Sequence, residues 1–388
     1  MTRLTLPDPL NKPQTQRLLT VLGAPAVDVR FVGGSVRNAV LDRPIADVDI
    51  GTPDIPTRVL ERLEAAGVKA VPTGIDHGTI TAIVDGTPFE ITTLRRDTAC
   101  DGRHAAVEFT TDWQEDARRR DFTMNAMSLR SDGTLFDDFN GVDDAKAGRV
   151  RFVGDAGDRI QEDYLRILRL FRFFAQYGRA PIDSATLDAC RTHAAGMARL
   201  SAERVQQELS KLLAAADPLP AVNAMFAADV MRHVLPAARD SQTLASLLKI
   251  EPSTPAFPPH WIRRLAALVS VADHLKLSNA DRERLKRIGD QTPITTAKEL
   301  HRALYRWGAP IVVDRLLLSN TTAFLKEAAA WTDKTLPVGG ADVLALGIAP
   351  GPRVGELLAS VETWWIDADF KPARDEVLEH LKALAQKK

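Results

Sequence analysis

Cysteine is nearly absent from the chain: 388 residues contain only Cys100 and Cys190. Two cysteines so far apart exclude a disulfide framework and lack the spacing of a cysteine metal site. No run of roughly 18 uncharged apolar residues occurs, so no membrane-spanning helix is expected. The first residues, Met1-Thr2-Arg3-Leu4-Thr5-Leu6-Pro7-Asp8, lack the basic-then-apolar layout of a secretory signal. These absences predict a reducing, cytoplasmic setting with no membrane and no disulfide partner. A dominant charge sign is missing too: 50 Lys and Arg stand against 51 Asp and Glu, a net charge of −1. No global field draws in a polyanion, and a nucleic-acid partner must be held by local patches. Neither the phosphate-loop pattern Gly-x-x-x-x-Gly-Lys nor the dinucleotide pattern Gly-x-Gly-x-x-Gly is present. No internal repeat emerges.

What remains is an ordinary globular composition, 45% hydrophobic and 26% charged, long enough for two or three domains. Up to about residue 150 the pattern is mixed α/β. Val27–Val32 and Ala46–Ile50 read as strands, with Gly33-Gly34-Ser35 and a short helix, Val36–Leu41, between them. Thr57–Ala66 reads as a helix. Thr79–Val84, the turn Asp85-Gly86 and Phe89–Leu94 read as a hairpin, and Val107–Thr111 as a further strand. From Asp158 onward strand signals nearly vanish; Glu162–Ala175, Ala202–Ala214 and Asp217–Val234 read as helices. The expected fold is therefore α+β, a small mixed-sheet head at 1–150 followed by all-helical segments at 151–215, 216–300 and 301–388.

Asp47 and Asp49 are two residues apart in an apolar strand context. Period-two geometry places both carboxylates on one face and turns Val48 and Ile50 to the other. Two adjacent carboxylates repel, and Mg²⁺ suits such oxygen ligands while leaving positions open for substrate phosphates. A pair of metals about 3.5–4 Å apart would activate a hydroxyl and clamp a leaving pyrophosphate. The competing reading is an exposed polar strand face. The Gly33-Gly34-Ser35 turn a dozen residues upstream favours the first: glycine permits close backbone approach, and the following helix offers unpaired N–H groups to phosphate oxygens. Arg37, on that first helical turn, adds a fixed cation for a triphosphate. Glu90 in Phe89-Glu90-Ile91 is the candidate third carboxylate, against a cross-strand salt bridge as the alternative.

Two arginine-rich segments follow. In Arg118-Arg119-Arg120-Asp121-Phe122-Thr123-Met124-Asn125, Asp121 and Asn125 suit a sugar hydroxyl and one of the arginines a phosphate, while a solvated basic face is the alternative. In Glu162-Asp163-Tyr164-Leu165-Arg166, Asp163 and Arg166 are spaced i, i+3 as neighbours on one helix surface, and Arg169 and Arg172 continue the spacing. An acceptor beside a donor complements the N4/N3 edge of cytosine and the N6/N1 edge of adenine. Uracil and guanine present the reverse order, and each mismatched buried polar group costs about 1–3 kcal/mol. Such a pair selects C and A without a template strand.

Taken in order, these segments resemble the class II tRNA nucleotidyltransferases, the CCA-adding enzymes, and their poly(A) polymerase relatives. Phe31–Arg37 with Ala46–Asp49 resembles the catalytic motif of that DNA polymerase β-type head. Arg119–Asn125 resembles the ribose motif, Phe136–Asp143 the hinge, Glu162–Arg166 the amino-acid template and Leu200–Leu209 the helix that buttresses it. The resemblance implies a head, neck, body and tail, and transfer of CMP and AMP from CTP and ATP to a tRNA 3′ end with release of pyrophosphate. It implies Mg²⁺ on Asp47 and Asp49; triphosphate on Gly34, Ser35 and Arg37; ribose and nucleotide on Arg120 and Asp121; base reading by Asp163 and Arg166; and a pocket completed by Arg169 and Arg172. Arg95–Phe109, with Arg103, resembles the flexible loop of the C-to-A switch, which favours full CCA addition over addition of the two cytidines alone; poly(A) synthesis and partial (CC- or A-only) addition are the alternatives. Asn38 departs from the acidic residue usual there. From another class, a non-catalytic RNA-binding protein with a decayed head would have lost Asp47, Asp49 or the Gly-Gly turn; all are present.

Overall fold

The computed structural model describes residues 3–100, 105–290 and 292–386, with the side chains of 97–107 outside that description. It divides into two compact units, 1–238 and 239–388.

The first unit is built on a seven-stranded mixed sheet. Its strands are β1 (Arg30–Val32), β2 (Asp49–Thr52), β3 (Lys69–Gly74), β4 (Thr79–Val84), β5 (Thr87–Thr93), β8 (Ser128–Leu129) and β9 (Leu135–Phe136), in the order β3-β4-β5-β2-β1-β8-β9. β6 (Arg95–Cys100) and β7 (Ala105–Phe109) form a separate antiparallel ribbon. The expected hairpin is present as β4–β5, paired from Val84↔Thr87 to Thr79↔Thr92. The strand expected from Val27 is shorter and begins at Arg30. The one expected from Ala46 begins at Asp49 and runs on to Thr52, because β1 pairs only as far as Gly51↔Arg30 while β5 pairs through Thr52↔Thr93. β3, β8 and β9 were not legible, being an exposed edge strand and two-residue pairs.

The inner face of the sheet buries Phe31, Ile50, Ile80, Phe89 and Ile91 against helices that include Pro56–Ala65, contributing Val59 and Leu63. That apolar face fixes register, since a one-residue slip would turn every such side chain to water. The sequence expectation of a helix after the Gly-Gly turn is met by Gly33–Val40.

Beyond the sheet, Ala156–Glu162, Leu165–Tyr177, Ala202–Leu213 and Leu219–Ala227 are helices. The Leu165–Tyr177 helix buries Leu168 and Phe171 and packs against both of the last two. Two expected helices are broken. The 162–175 segment is interrupted at Asp163, whose backbone is extended (φ −154°, ψ 107°). The 217–234 segment stops at Ala227 and restarts at Met231, with Asp229 left-handed at φ 56°.

The second unit is helical throughout its described residues. Its centre holds a buried ionic network: Glu251 accepts from Arg263 and Arg264, and Asp314 from Arg263 and Arg284. Its last helices, Pro352–Asp367 and Arg374–Gln386, close over Val361, Trp365, Val377 and Leu381. No helix among the described residues is long and apolar enough to cross a membrane.

Candidate active site

β1 ends at Val32 and the chain turns straight into a helix through Gly33, whose φ of +63° suits glycine. The register Phe31↔Ile50 brings the start of β2 beside that turn. A Cβ on Gly33 would lie 3.5 Å from Asp49 Oδ2 and 3.3 Å from Arg120 Nη1. The glycine, the carboxylate and the arginine thus meet at one point. Asp47 precedes β2 and is exposed, Val48 and Ile50 are buried, and Asp49 is half-buried, so the period-two reading of the two aspartates holds on either side of the strand start.

Glu90 is the direct neighbour of Asp49 in the parallel β2–β5 register. Burial, then the charges of Glu90 and Asp47, push the Asp49 carboxyl up to about 6, against the opposing pull of Arg120. Asp49 and Glu90 thus place two carboxylates side by side on adjacent strands, with Arg120 opposing their charge. No group of three His, Cys, Asp or Glu side chains converges closely enough to hold a metal among the described residues. The donor set that fits is a pair of aspartates completed by water and phosphate oxygens, as Mg²⁺ accepts. Glu90 acts here by its field.

Next to this point opens a cleft of about 430 Å³. Its wall carries six arginines, Arg37, Arg119, Arg120, Arg166, Arg169 and Arg204, against two aspartates, Asp121 and Asp163. A nearly neutral chain thus concentrates positive charge where a triphosphate would lie. Each arginine is held. Asp116, 2% exposed, accepts from Arg119 Nε at 2.8 Å and from Arg120 Nη2 at 3.0 Å. Arg37 donates to Asn125 Oδ1 at 2.7 Å and to the Tyr177 hydroxyl at 2.8 Å. Arg169 donates from Nε to Asp121 Oδ2 at 2.8 Å, while Asn125 Nδ2 and the Phe122 amide serve Asp121 Oδ1. Burial alone would raise the Asp121 carboxyl, but Arg169 and these donors outweigh it and hold it below its usual range.

Asp163 and Arg166 both line the cleft but do not share a helix face. Asp163 occupies the break between two helices; its Oδ1 caps the Leu165 amide at 3.0 Å and its Oδ2 accepts from Arg204 Nη2 at 2.6 Å. Arg166 donates to the Arg159 carbonyl at 2.8 Å and pairs with Glu162. The two are brought together by a turn rather than by i, i+3 stacking, because Asp163 spends its carboxylate on starting the next helix.

Residues 29–151 match the family described as Poly A polymerase head domain, and residues 181–241 the one described as probable RNA and SrmB-binding site of polymerase A. CCA tRNA nucleotidyltransferase 1, mitochondrial, of Homo sapiens is 37% identical over 378 residues, spanning 92% of this chain and 86% of that protein. The chain belongs to the CCA tRNA nucleotidyltransferase family. The CCA-adding enzyme of Leuconostoc citreum is 31% identical over 393 residues, with 96% of both chains covered. A crystal structure of the Bacillus stearothermophilus CCA-adding enzyme in complex with CTP superposes with a TM-score of 0.74 at 25% identity, covering 97% of this chain and 98% of that one. As a member of this family the protein is a nucleotidyltransferase, and the α+β head with helical segments behind it is that family's architecture.

Gly34 lines the cleft at the start of its helix, as its place in the motif leads one to expect, with Arg37 Nη2 3.5 Å from where its Cβ would be. Two anticipated residues are placed differently, and a third is not described. Ser35 is 1% exposed and its hydroxyl donates to the Val32 carbonyl at 2.8 Å, so its side chain is spent on the chain itself and is turned in from the cleft surface. Arg172 is turned away from the cleft, pairing with Glu208 and donating to Gln176 Oε1 at 3.2 Å. Arg103 lies outside the described residues, though the flanks of its segment form the β6–β7 ribbon. Asn38 accepts from Arg37 Nε at 3.1 Å, as a carboxylate would, and its amide donates to the Pro44 carbonyl at 2.8 Å, a bond that an ionised acid could not make. Arg204 and Asp116 went unrecognised as site residues. The i, i+3 and i, i+4 spacing of Asp116 to Arg119 and Arg120 was the available signal for the second; for Arg204, which reaches Asp163 across 41 residues, it was its place in the Leu200–Leu209 segment that resembles the buttressing helix.

Proposed function

We propose that the protein adds CCA to the 3′ end of tRNA without a nucleic-acid template, taking CMP from CTP and AMP from ATP. The observation that carries this reading is one cleft in which Asp163 and Arg166 face the Gly33-Gly34 turn and Asp121, with Asp49 at its edge. The tRNA 3′ oxygen attacks the α-phosphorus; the new P–O bond forms as the bond to the bridging oxygen breaks, and pyrophosphate leaves. Asp47 and Asp49 would hold Mg²⁺, singly or as a pair, which supplies charge neutralisation for the attacking and departing oxygens.

The remaining work belongs to the chain. Gly34, the amides of the first helical turn, Arg37 and Arg120 hold the triphosphate. Asp121 and Asn125 take the ribose. Asp163 keeps free lone pairs after its two present hydrogen bonds, since a carboxylate offers about four acceptor sites. It accepts the amino group of cytosine or adenine while Arg166 donates to the adjacent ring nitrogen. Arg169 holds Asp121 in place, Arg172 tightens the helix behind it, and the Arg95–Phe109 segment with Arg103 serves the change from C to A.

We assign 1–150 to a catalytic head, 151–215 to a base-reading neck, and 216–300 and 301–388 to a body and tail that grip tRNA through its backbone, with salt-sensitive affinity. The two-cysteine content favours the cytoplasm, which imaging of the tagged protein would check. Purified protein is to be incubated with CTP, ATP and tRNA lacking its last three nucleotides, and the products sequenced. Addition of C, C and A, then arrest, is the expected result. Long adenosine tails would select poly(A) synthesis instead, and arrest after two cytidines partial addition.

A further inference from the structure

The base-reading turn has an anchor on the side away from the cleft. Asp163 is extended and the next residue, Tyr164, returns to helical angles (φ −59°, ψ −18°). Successive side chains consequently diverge: Asp163 lines the cleft, whereas the Tyr164 ring lies on Gly196 in the 3₁₀ turn Ala194–Arg199. A Cβ on Gly196 would fall 2.1 Å from Tyr164 Cε1, 2.2 Å from Cδ1 and 2.5 Å from Cζ. Three atoms of a rigid ring occupy the space that any larger residue would need. The Arg199 guanidinium lies 5.5 Å from the ring centroid and covers it from another side.

We propose that Gly196 is a positioning residue for nucleotide selection: with Tyr164 it forms a keyed contact that sets the direction in which Asp163 and Arg166 face the base. The inference rests on the base-reading assignment above. Asp163 Oδ1 is tied to the Leu165 amide and Oδ2 to Arg204, so residues 163–165 move as one piece. Tyr164 and Gly196 are both half-buried, and a methyl group under the ring has to displace the ring, and with it the 163–165 backbone from which the ring projects. Triphosphate contacts come from the Gly33–Gly34 turn, Arg37 and Arg120, none of which touches this slot. The consequence is therefore a change in discrimination rather than a uniform loss of binding.

The test compares kcat/KM for CTP against UTP, and for ATP against GTP, on tRNA ending one nucleotide short of each addition. Gly196→Ala is expected to lower both ratios about tenfold, the scale of a sub-ångström misplacement at a reacting site, with KM for CTP nearly unchanged and the thermal midpoint lowered by the strain of the new methyl. In a Tyr164→Ala background, which already lacks the key, the same change is expected to lower them no further. Unchanged ratios, or an equal fall in both backgrounds, overturns the proposal. Should Gly196→Ala fail to fold, Tyr164→Ala alone decides, with relaxed selection supporting the contact and full selection refuting it. Asp163→Ala separates the two levels. If it leaves selection intact the base-reading assignment is what fails; if it relaxes selection while Gly196→Ala does not, only the keyed contact is lost.

Discussion

Asp49 on β2 stands beside Glu90 on β5 in parallel register, and that neighbour, after burial itself, is what keeps the Asp49 carboxyl near 6. A carboxyl raised in the folded state holds a proton that the unfolded chain has already released. This group therefore stabilises the metal-free protein below about pH 6 relative to neutral pH, and the contribution is lost as pH rises through that value. Divalent cations must displace the same proton. Their apparent affinity should rise with pH through about 6, flatten above it, and lose this dependence in Asp49→Asn. Calorimetric titration of Mg²⁺ across that range checks it, and Glu90→Gln should move the midpoint to lower pH.

Asp47→Ala removes the exposed carboxylate whose charge acts on Asp49 and leaves the cleft-lining arginines in place. Turnover should fall by on the order of 10²–10³ or more, the scale for losing a group aimed at developing charge. Binding of tRNA, measured by filter retention, should be nearly unchanged. Ordinary turnover would remove the cation assignment.

The two aspartates were legible because strand alternation is local: Val48 and Ile50 are buried apolar residues, and that pattern alone orients 47 and 49. The arginine wall was legible in composition but not in construction. Arg119, Arg120 and Arg169 look like a solvated basic face until Asp116 and Asp121 are seen to hold them from beneath. The helix break at Asp163 was hidden because the apolar period of Leu165, Leu168 and Phe171 runs on smoothly from Ile160. What interrupts it is the side chain of Asp163 capping Leu165 and a ring packed on Gly196, the second a contact across 32 positions of sequence that no local window contains. Ser35 misled for the opposite reason, since a serine in a Gly-Gly-Ser turn fits a phosphate equally well as a hydroxyl spent on its own backbone.

Asp116 is predicted to matter for both stability and nucleotide affinity. It is almost wholly buried and its two oxygens serve two arginines that line the cleft. Asp116→Ala leaves those guanidinium groups unpaired and should cost about 3 kcal/mol, the low end for a broken buried pair, because both arginines retain some water. Chemical denaturation gives the first number, and KM for CTP, expected to rise, gives the second.

In the second unit, Glu251 carries two arginines, Arg263 and Arg264, with all three side chains within 2% of full burial. Glu251→Ala should destabilise by about 3–5 kcal/mol, since Arg264 loses its Glu251 carboxylate and Arg263 is left with Asp314 as its acceptor in a dry interior. Replacing a single partner such as Arg284, which is 21% exposed and only half of the Asp314 pairing, should cost less. Urea unfolding of the intact chain, followed by tryptophan fluorescence, distinguishes the two.

His301 extends this to pH. Its Nδ1 lies 2.6 Å from Asp369 Oδ1 and its Nε2 2.7 Å from Glu327 Oε1, with the ring against Trp331 and Lys371 on the far side of Asp369. A neutral imidazole has one N–H and can serve one carboxylate; only the cation serves both. Burial pulls this histidine down, but the hydrogen bonds to Asp369 and Glu327 outweigh it and raise it above its usual value of 6.5. A raised histidine gives stability that is complete below 6.5 and disappears as pH climbs through the folded-state value, so the wild-type protein should lose stability on the alkaline side of 6.5. His301→Gln should be less stable below 6.5 and show a flatter profile above it, converging with wild type once the imidazole is neutral. A wild-type profile that rises across the same interval would mean that the two carboxylates do not share the proton-bearing ring.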